Sequence, residues 1–421
     1  MKLNTFNSLK SRNYRLYFIG QATSLIGTWM QKTAVSWVVY TITQSKVMLG
    51  ISVFATLFPT AVFSLLGGAV ADRYNRYKVL LITQILAMLQ AVLLTLSLVF
   101  FDKSAVWIII GLSLILGIIN GFDSPARQSL IRELVVNKAD LSNALALNSS
   151  MVNLSKLVGP TLAGFILERF GNQVCFGINA ASFSIVIGCL MMMKLKAYQP
   201  VIKKDKNLIF EFKEAFLNIS QNKTISSVII FTGLIGFFVL PFTTLTPVFA
   251  QDIFLGNATT LGYIDGSIGL GAFTGAIYLA SLSAGTDLRK TLLFNTFIFG
   301  VGLIVFSYLN ALIPALIFLC IGAFGMMSVR TVSNTIIQLN VEEALRGRVI
   351  SLFLMTLTAT IPLGSLIVSY CSTHYGAQRT VRIEGIIAVI ISLLYLRYLK
   401  KERIKEEELN TLKNTTNPAA V

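Results

Sequence analysis

Three charged side chains stand inside apolar stretches long enough to cross a bilayer: Lys32, Lys156 and Asp265. An ionised group in that setting costs several kcal/mol unless it meets water or a partner, so each is either working or paired. A carboxyl in such surroundings can load and release a proton, which makes Asp265 the candidate for proton coupling. Its alternatives are hydration at the outer mouth or a fixed pair with Lys32 or Lys156. The two ammonium groups suit the neutralisation of an anionic substrate. For Lys32 the competing reading is snorkelling to the outer surface; for Lys156, deep in its span, it is a structural ion pair. Gln21, Ser24, Thr28 and Lys32 recur at intervals of three and four residues and share one helical face. Such a stripe points away from lipid, so Gln21, Thr28, Lys32 and Lys156 are the candidate cavity residues, while Trp29 either joins them or anchors the outer interface.

Other chemistry finds little support. There is no phosphate-binding loop with its lysine and hydroxyl residue, no HExxH, no CxxC and no nucleophile with an adjacent base, so neither ATP drive within the chain nor an enzyme is expected. Cys175, Cys189, Cys320 and Cys371 are far apart in apolar surroundings and read as buried thiols. His374 is alone and offers no metal-binding set. Glu384 is a weaker coupling candidate than Asp265, because Arg382 marks its position as interfacial.

The elements that carry these residues are membrane helices. Hydrophobic residues make up 54% of the 421, charged residues only 13%, and mean hydropathy is +0.72, more apolar surface than a water-soluble fold of this size can hide. In hydrocarbon each backbone amide must be satisfied within its own segment, so the spans are helical. Twelve are expected, over 15–39, 47–70, 79–100, 105–125, 143–167, 174–194, 225–249, 260–283, 291–309, 312–335, 349–372 and 381–399. The first follows Lys2, Lys10, Arg12 and Arg15 without a cleavage site and is expected to remain as a span.

The net charge of +16 is spread over short loops and argues for topology, not nucleic-acid binding. Arg73, Arg76, Lys78, Arg132, Arg289, Lys290, Arg346, Arg348 and a lysine-rich linker fall on one side, against Lys46, Lys103, Arg169 and Arg379 on the other. This asymmetry places both termini and the linker in the cytoplasm of a multi-pass protein of the cell membrane, the inner membrane in a Gram-negative cell. The linker, 195–224, divides a bundle of six helices (1–194) from a second (225–401), and a polar tail follows at 402–421. Leu208, Phe212, Ala215, Phe216 and Ile219 can share a face, which suggests an amphipathic helix on the membrane surface. The halves also echo one another. GGAVADRYNRYK follows span two and GTDLRK span eight; DSPARQSLIREL closes span four and SVRTVSNTIIQL span ten. Duplicated halves with charged hinges are what a carrier that rocks about a central site requires.

GGAVADRYNRYKVLL resembles the loop signature of the major facilitator superfamily, through Gly68, Asp72, Arg73, Arg76 and Leu80, with Asn75 and Tyr77 departing from it. SKLVGPTLAG resembles the antiporter signature of the same superfamily, through Gly159, Pro160 and Gly164, with Ser155 replacing a glycine. GTWMQKTAVSWVVYTIT, DSPARQSLIREL and LRGRVISL resemble its drug and siderophore exporter branch, which contains macrolide and enterobactin efflux proteins.

The resemblance implies an all-α membrane protein of twelve helices in two pseudo-symmetric six-helix bundles. It also implies a gating set of Asp72, Arg73, Arg76, Asp123, Arg127, Gly159, Pro160 and Arg330. Asp72 is expected near the start of span eleven, Arg76 near Asp123, and Arg330 at the inner end of span ten as the mirror of the span-four charges. The expected function is proton-coupled export of an amphipathic drug or siderophore-like metabolite, by a monomer with no bound cofactor or metal, the proton being the coupling ion. Import of a nutrient or iron chelate, and a non-transporting scaffold or sensor, are the alternatives.

Overall fold

The computed structural model describes residues 7–101, 104–135, 140–195, 216–217, 219–283, 285–343 and 345–416. The first half comprises α1 (Arg12–Thr43), α2 (Lys46–Arg73), α3 (Arg76–Phe100), α4 (Ala105–Leu134) and α5 (Leu141–Met191). The second comprises α6 (Lys223–Phe238), α7 (Ala258–Ala280), α8 (Leu288–Tyr308), α9 (Leu312–Asn340), α10 (Arg346–Tyr375) and α11 (Ala377–Thr416). Eight of the described helices, α6 being taken on to Ile253, are long and apolar enough to cross a membrane by length and composition alone. The 51 residues of α5 form two limbs that meet at Gly171 and hold two of the expected spans. The three below that apolarity are α1, α7 and α11; the first two carry the polar stripe and Asp265, groups that only an interior helix can hold. Twelve crossings leave the start of α1 and the end of α11 at one face of the molecule, the near face.

Several boundaries have a local physical cause. Asn75 caps α3 by accepting from the amides of Tyr77 and Lys78, and Asp287 caps α8 by accepting from those of Arg289 and Lys290. The asparagine that departs from the loop signature therefore does the same work as the aspartate in the other half. The spans within α5 are joined at Gly171, whose φ of +85° reverses the chain without a separate loop. Span seven is not one regular helix. After α6 the chain passes through a 3₁₀ segment with Pro241, a short turn with Pro247 and a π-turn ending at Ile253, because each proline removes an amide from the ladder. Most of the expected amphipathic helix lies outside the described residues; 216–217 and 219–221 are helical, with Phe216 exposed and Ile219 buried. Residues 402–416 of the expected polar tail continue α11 as helix.

Within the first half α1 packs on α5, and α4 on α2 and α3; within the second, α9 packs on α7 and α8, and α11 on α8. The halves meet along two seams, α5 against α7 and α2 against α10. Glycine makes the first seam possible. A Cβ on Gly164 would lie 2.8 Å from Gly262 Cα, one on Gly266 would meet the Thr161 hydroxyl at 2.5 Å, and one on Gly269 would lie 2.8 Å from the Lys156 carbonyl. That carbonyl is the one Pro160 cannot bond, so the proline frees an acceptor where α7 presents a bare Cα. Gly271 and Gly275 face the other way, against Phe324 of α9 and its neighbours. The spaced glycines of α7 thus serve two contacts, one across the seam and one within the half.

Gly164→Val should force α5 and α7 apart at the far face. Overpacking of this kind costs about 1–3 kcal/mol, which lowers the closed population by about tenfold. Oxidative cross-linking of Glu168→Cys with Asn257→Cys, in a protein whose native cysteines are serine, should fall accordingly. Unchanged cross-linking would show that the glycine contact does not hold the seam.

Candidate functional site

The charges placed inside the spans form a column. Measured along their own helices from the far face at 1.5 Å per residue, Asp265 on α7, Lys32 on α1, Lys156 on α5 and Arg330 on α9 lie roughly 11, 17, 21 and 27 Å deep. Neighbouring members feel one another: Lys32 attracts Asp265, and both Lys32 and Arg330 repel Lys156. Trp29 is the hub. Lys32 Nζ is 4.7 Å and Lys156 Nζ 5.6 Å from its ring centroid. Gly159 allows that arrangement, since a Cβ there would lie 2.6 Å from Trp29 Cβ. The ring is therefore an interior group beneath two ammoniums, not an anchor at the outer interface. Lys32 is not snorkelling to the far face, yet it is exposed, as expected of a cavity wall.

None of Lys32, Lys156 and Arg330 has a carboxylate within 4 Å among the described residues. Asp265 instead accepts from the Thr33 hydroxyl at 3.1 Å, a bond that joins α7 to α1 across the halves. Other contacts also cross toward the far face. Tyr40 donates to Asp252 at 2.5 Å, Asn257 to Glu168 at 2.5 Å and Lys46 Nζ to the Ser372 carbonyl at 3.2 Å. A cleft of about 580 Å³ near that face, lined in part by Glu168, Arg169 and Tyr263, is separate from the charged column.

At the near face the expected latch is rearranged. Arg76 does not reach Asp123; it pairs with Glu133 at 2.5 Å, donates to the Ala71 carbonyl at 3.1 Å and lies 3.9 Å from Asp72. Asp72 and Arg73 are exposed. Asp123 is buried and accepts from Thr83 at 2.9 Å and Gln84 at 2.7 Å, with Arg127 at 3.5 Å. Gln21 is buried beside Arg127, 3.4 Å away, and so belongs to this polar core instead of lining the cavity. Thr28 is half-buried and donates to the carbonyl of Ser24 in its own helix. Arg330 is not at the helix end either. α9 extends to Asn340, which leaves the guanidinium roughly 15 Å inside. In the second half Arg289 donates to Glu402 at 2.9 Å and to Thr224 at 2.6 Å.

A family model for transmembrane secretion effectors matches residues 3–420. The chain belongs to this family, within the major facilitator superfamily. The chain is 26% identical to the staphyloferrin A transporter of Staphylococcus aureus, over 94% of this chain and 98% of that one. It is 23% identical to macrolide efflux protein A of Streptococcus pyogenes, over 93% and 97%. It is also 23% identical to the enterobactin exporter EntS of Citrobacter koseri, over 93% and 92%. Its fold matches the nucleoside transporter NupG with a TM-score of 0.70 at 15% identity, covering 93% of this chain and 99% of that one. A D-xylose-proton symporter matches with 0.69 at 15%, covering 92% and 96%. The chain is accordingly a secondary transporter and not an enzyme.

Three groups at these sites are not marked by the sequence pattern. Glu133 was visible as the last acid of DSPARQSLIREL, the penultimate residue of α4 and so within reach of the loop after α2. Thr33 follows Lys32 and had no periodic signal of its own. Asp252 was hidden by the irregular end of span seven. Asp123→Ala would leave Arg127 without its buried partner. Loss of such a pair destabilises by about 3 kcal/mol, so thermal unfolding in detergent should drop by several degrees. Asp123→Asn, which still accepts from Thr83, should lose clearly less; equal losses would show that the charge does not matter there.

Proposed function

We propose that this protein is a proton-coupled exporter that carries a drug or siderophore-like metabolite out of the cell by alternating access. The observation that supports this most directly is the bond between Asp265 and Thr33. It is a titratable contact that exists only while the far parts of α1 and α7 are together, and it stands at the head of a column of cations reached by water. A ligand moves a two-state equilibrium only through contacts that differ between the states. Gain or loss of the Asp265 proton changes one such contact, and a substrate among Lys32, Lys156 and Arg330 changes others.

The near face is cytoplasmic in this reading, because the basic loops gather there. Substrate enters from that side while the far contacts of Tyr40, Glu168 and Lys46 hold. Asp72, Arg73, Arg76, Asp123 and Arg127 brace the near ends of α2, α3 and α4 as one unit, and Gly159 and Pro160 let α5 approach α1 and α7. The relatives that export enterobactin and macrolides support outward movement. No cofactor takes part, the proton is the coupling ion, and the monomer holds the whole site.

Inside-out membrane vesicles with an imposed gradient, acidic inside, test this. Hydrophobic cations and carboxylate-rich chelators should be offered in parallel. Gradient-dependent uptake of either class is expected, and Asp265→Asn should abolish the gradient dependence while facilitated equilibration persists. Uptake driven only by the opposite gradient would establish import instead.

A further inference from the structure

We propose that Lys32 and Lys156, which lie over Trp29, form together with Arg330 deeper in the column a binding site for a small polyanion, a molecule carrying several carboxylates. This deepens the export reading by naming its substrate class, and it rests on that reading for direction only. Three fixed cations share the interior column with one carboxylate, Asp265, which leaves two positive charges without a counter-charge among the described residues. Isolated cations in the middle of a membrane protein each cost several kcal/mol, and an anionic partner repays that cost directly. The cations come from α1 and α5 in one half and α9 in the other, so a ligand with anionic groups at separated positions can engage both halves together. A monoanion satisfies only part of the set.

The same geometry disfavours a cationic drug. Receptors for organic cations present bare aromatic faces, whereas here Lys32 and Lys156 already lie over the Trp29 ring. The carboxylate that would attract such a drug is engaged by Thr33 and lies nearer the far face than any of the cations. A polyanion would draw the ammonium groups from the indole toward itself, which makes Trp29 a reporter.

The probe is 1,2,3,4-butanetetracarboxylate, with its tetramethyl ester as the uncharged control and tetraphenylphosphonium as the cation. Calorimetric titration into the full-length protein in lipid nanodiscs should show binding of the acid, weakening as salt rises, and none of the ester. Lys156→Gln should weaken it by about tenfold or more, the loss of a charge-assisted contact, while Lys156→Arg retains most of the affinity. In a W37F/W107F protein the emission of Trp29 should shift with the acid alone. Equal binding of acid and ester, no binding of the acid to protein that elutes as a single folded species, or full affinity after Lys156→Gln overturns the site. Gradient-driven export of tetraphenylphosphonium without acid binding would sink the polyanion site and leave export standing. Acid binding without transport of either class would do the reverse.

Discussion

The structure depends on how a membrane interior can hold positive charge. Lys32, Lys156 and Arg330 lie well inside their helices and pair with no described carboxylate. Such groups are tolerable only if water reaches them, and water reaches them only if the halves part around them. The rest of the architecture follows from that requirement. Between the halves the main packing runs along the two seams, with glycine carrying the one between α5 and α7, and the polar bonds from Thr33, Tyr40 and Asn257 lie toward the far face. A fully sealed interface would strand the cations, and an open one would cease to separate two compartments.

The two halves solve the same mechanical problem with different partners. In each, an arginine near the loop between the second and third crossings ties it to a later helix at the near face: Arg76 to Glu133 in the first half, Arg289 to Glu402 in the second. Each pairing binds neighbouring crossings into one body at the near face, which lets a half move as a unit. The symmetry is mechanical more than sequential. Glu133 closes the fourth crossing of its half, whereas Glu402 lies on the extension of the sixth, so no alignment of the two segments would pair them.

Composition and span length made most of the fold legible, because lipid permits few alternatives to a helix. The twelve crossings, the division into halves and the positions of Lys32, Lys156 and Asp265 all followed from where polar residues interrupt apolar runs. The misplacements share one cause. Arg76, Gln21 and Arg330 were located by their place along the chain, but their partners are set by helix rotation and true helix length. Gln21 stands on the same stripe as Lys32, yet three turns nearer the terminus that stripe faces α4 and Arg127. Arg330 sat at the end of a 24-residue span and proved to lie well within a 29-residue helix. The Trp29 cluster was not legible because it joins residues 29, 32 and 156 through contacts between helices.

Gly171 carries a mechanical consequence. The limb of α5 that forms one side of the seam turns back into the next at a single residue, so there is no loop in which a displacement could be absorbed. Sliding of the first limb along α7 must drag the second with it. That second limb exposes Val174, Ile178 and Ile185 on its outer flank. The surface that meets the surrounding lipid is therefore stiffly coupled to the seam, and bilayer thickness and lateral tension become forces that act on the balance between the two arrangements of the halves.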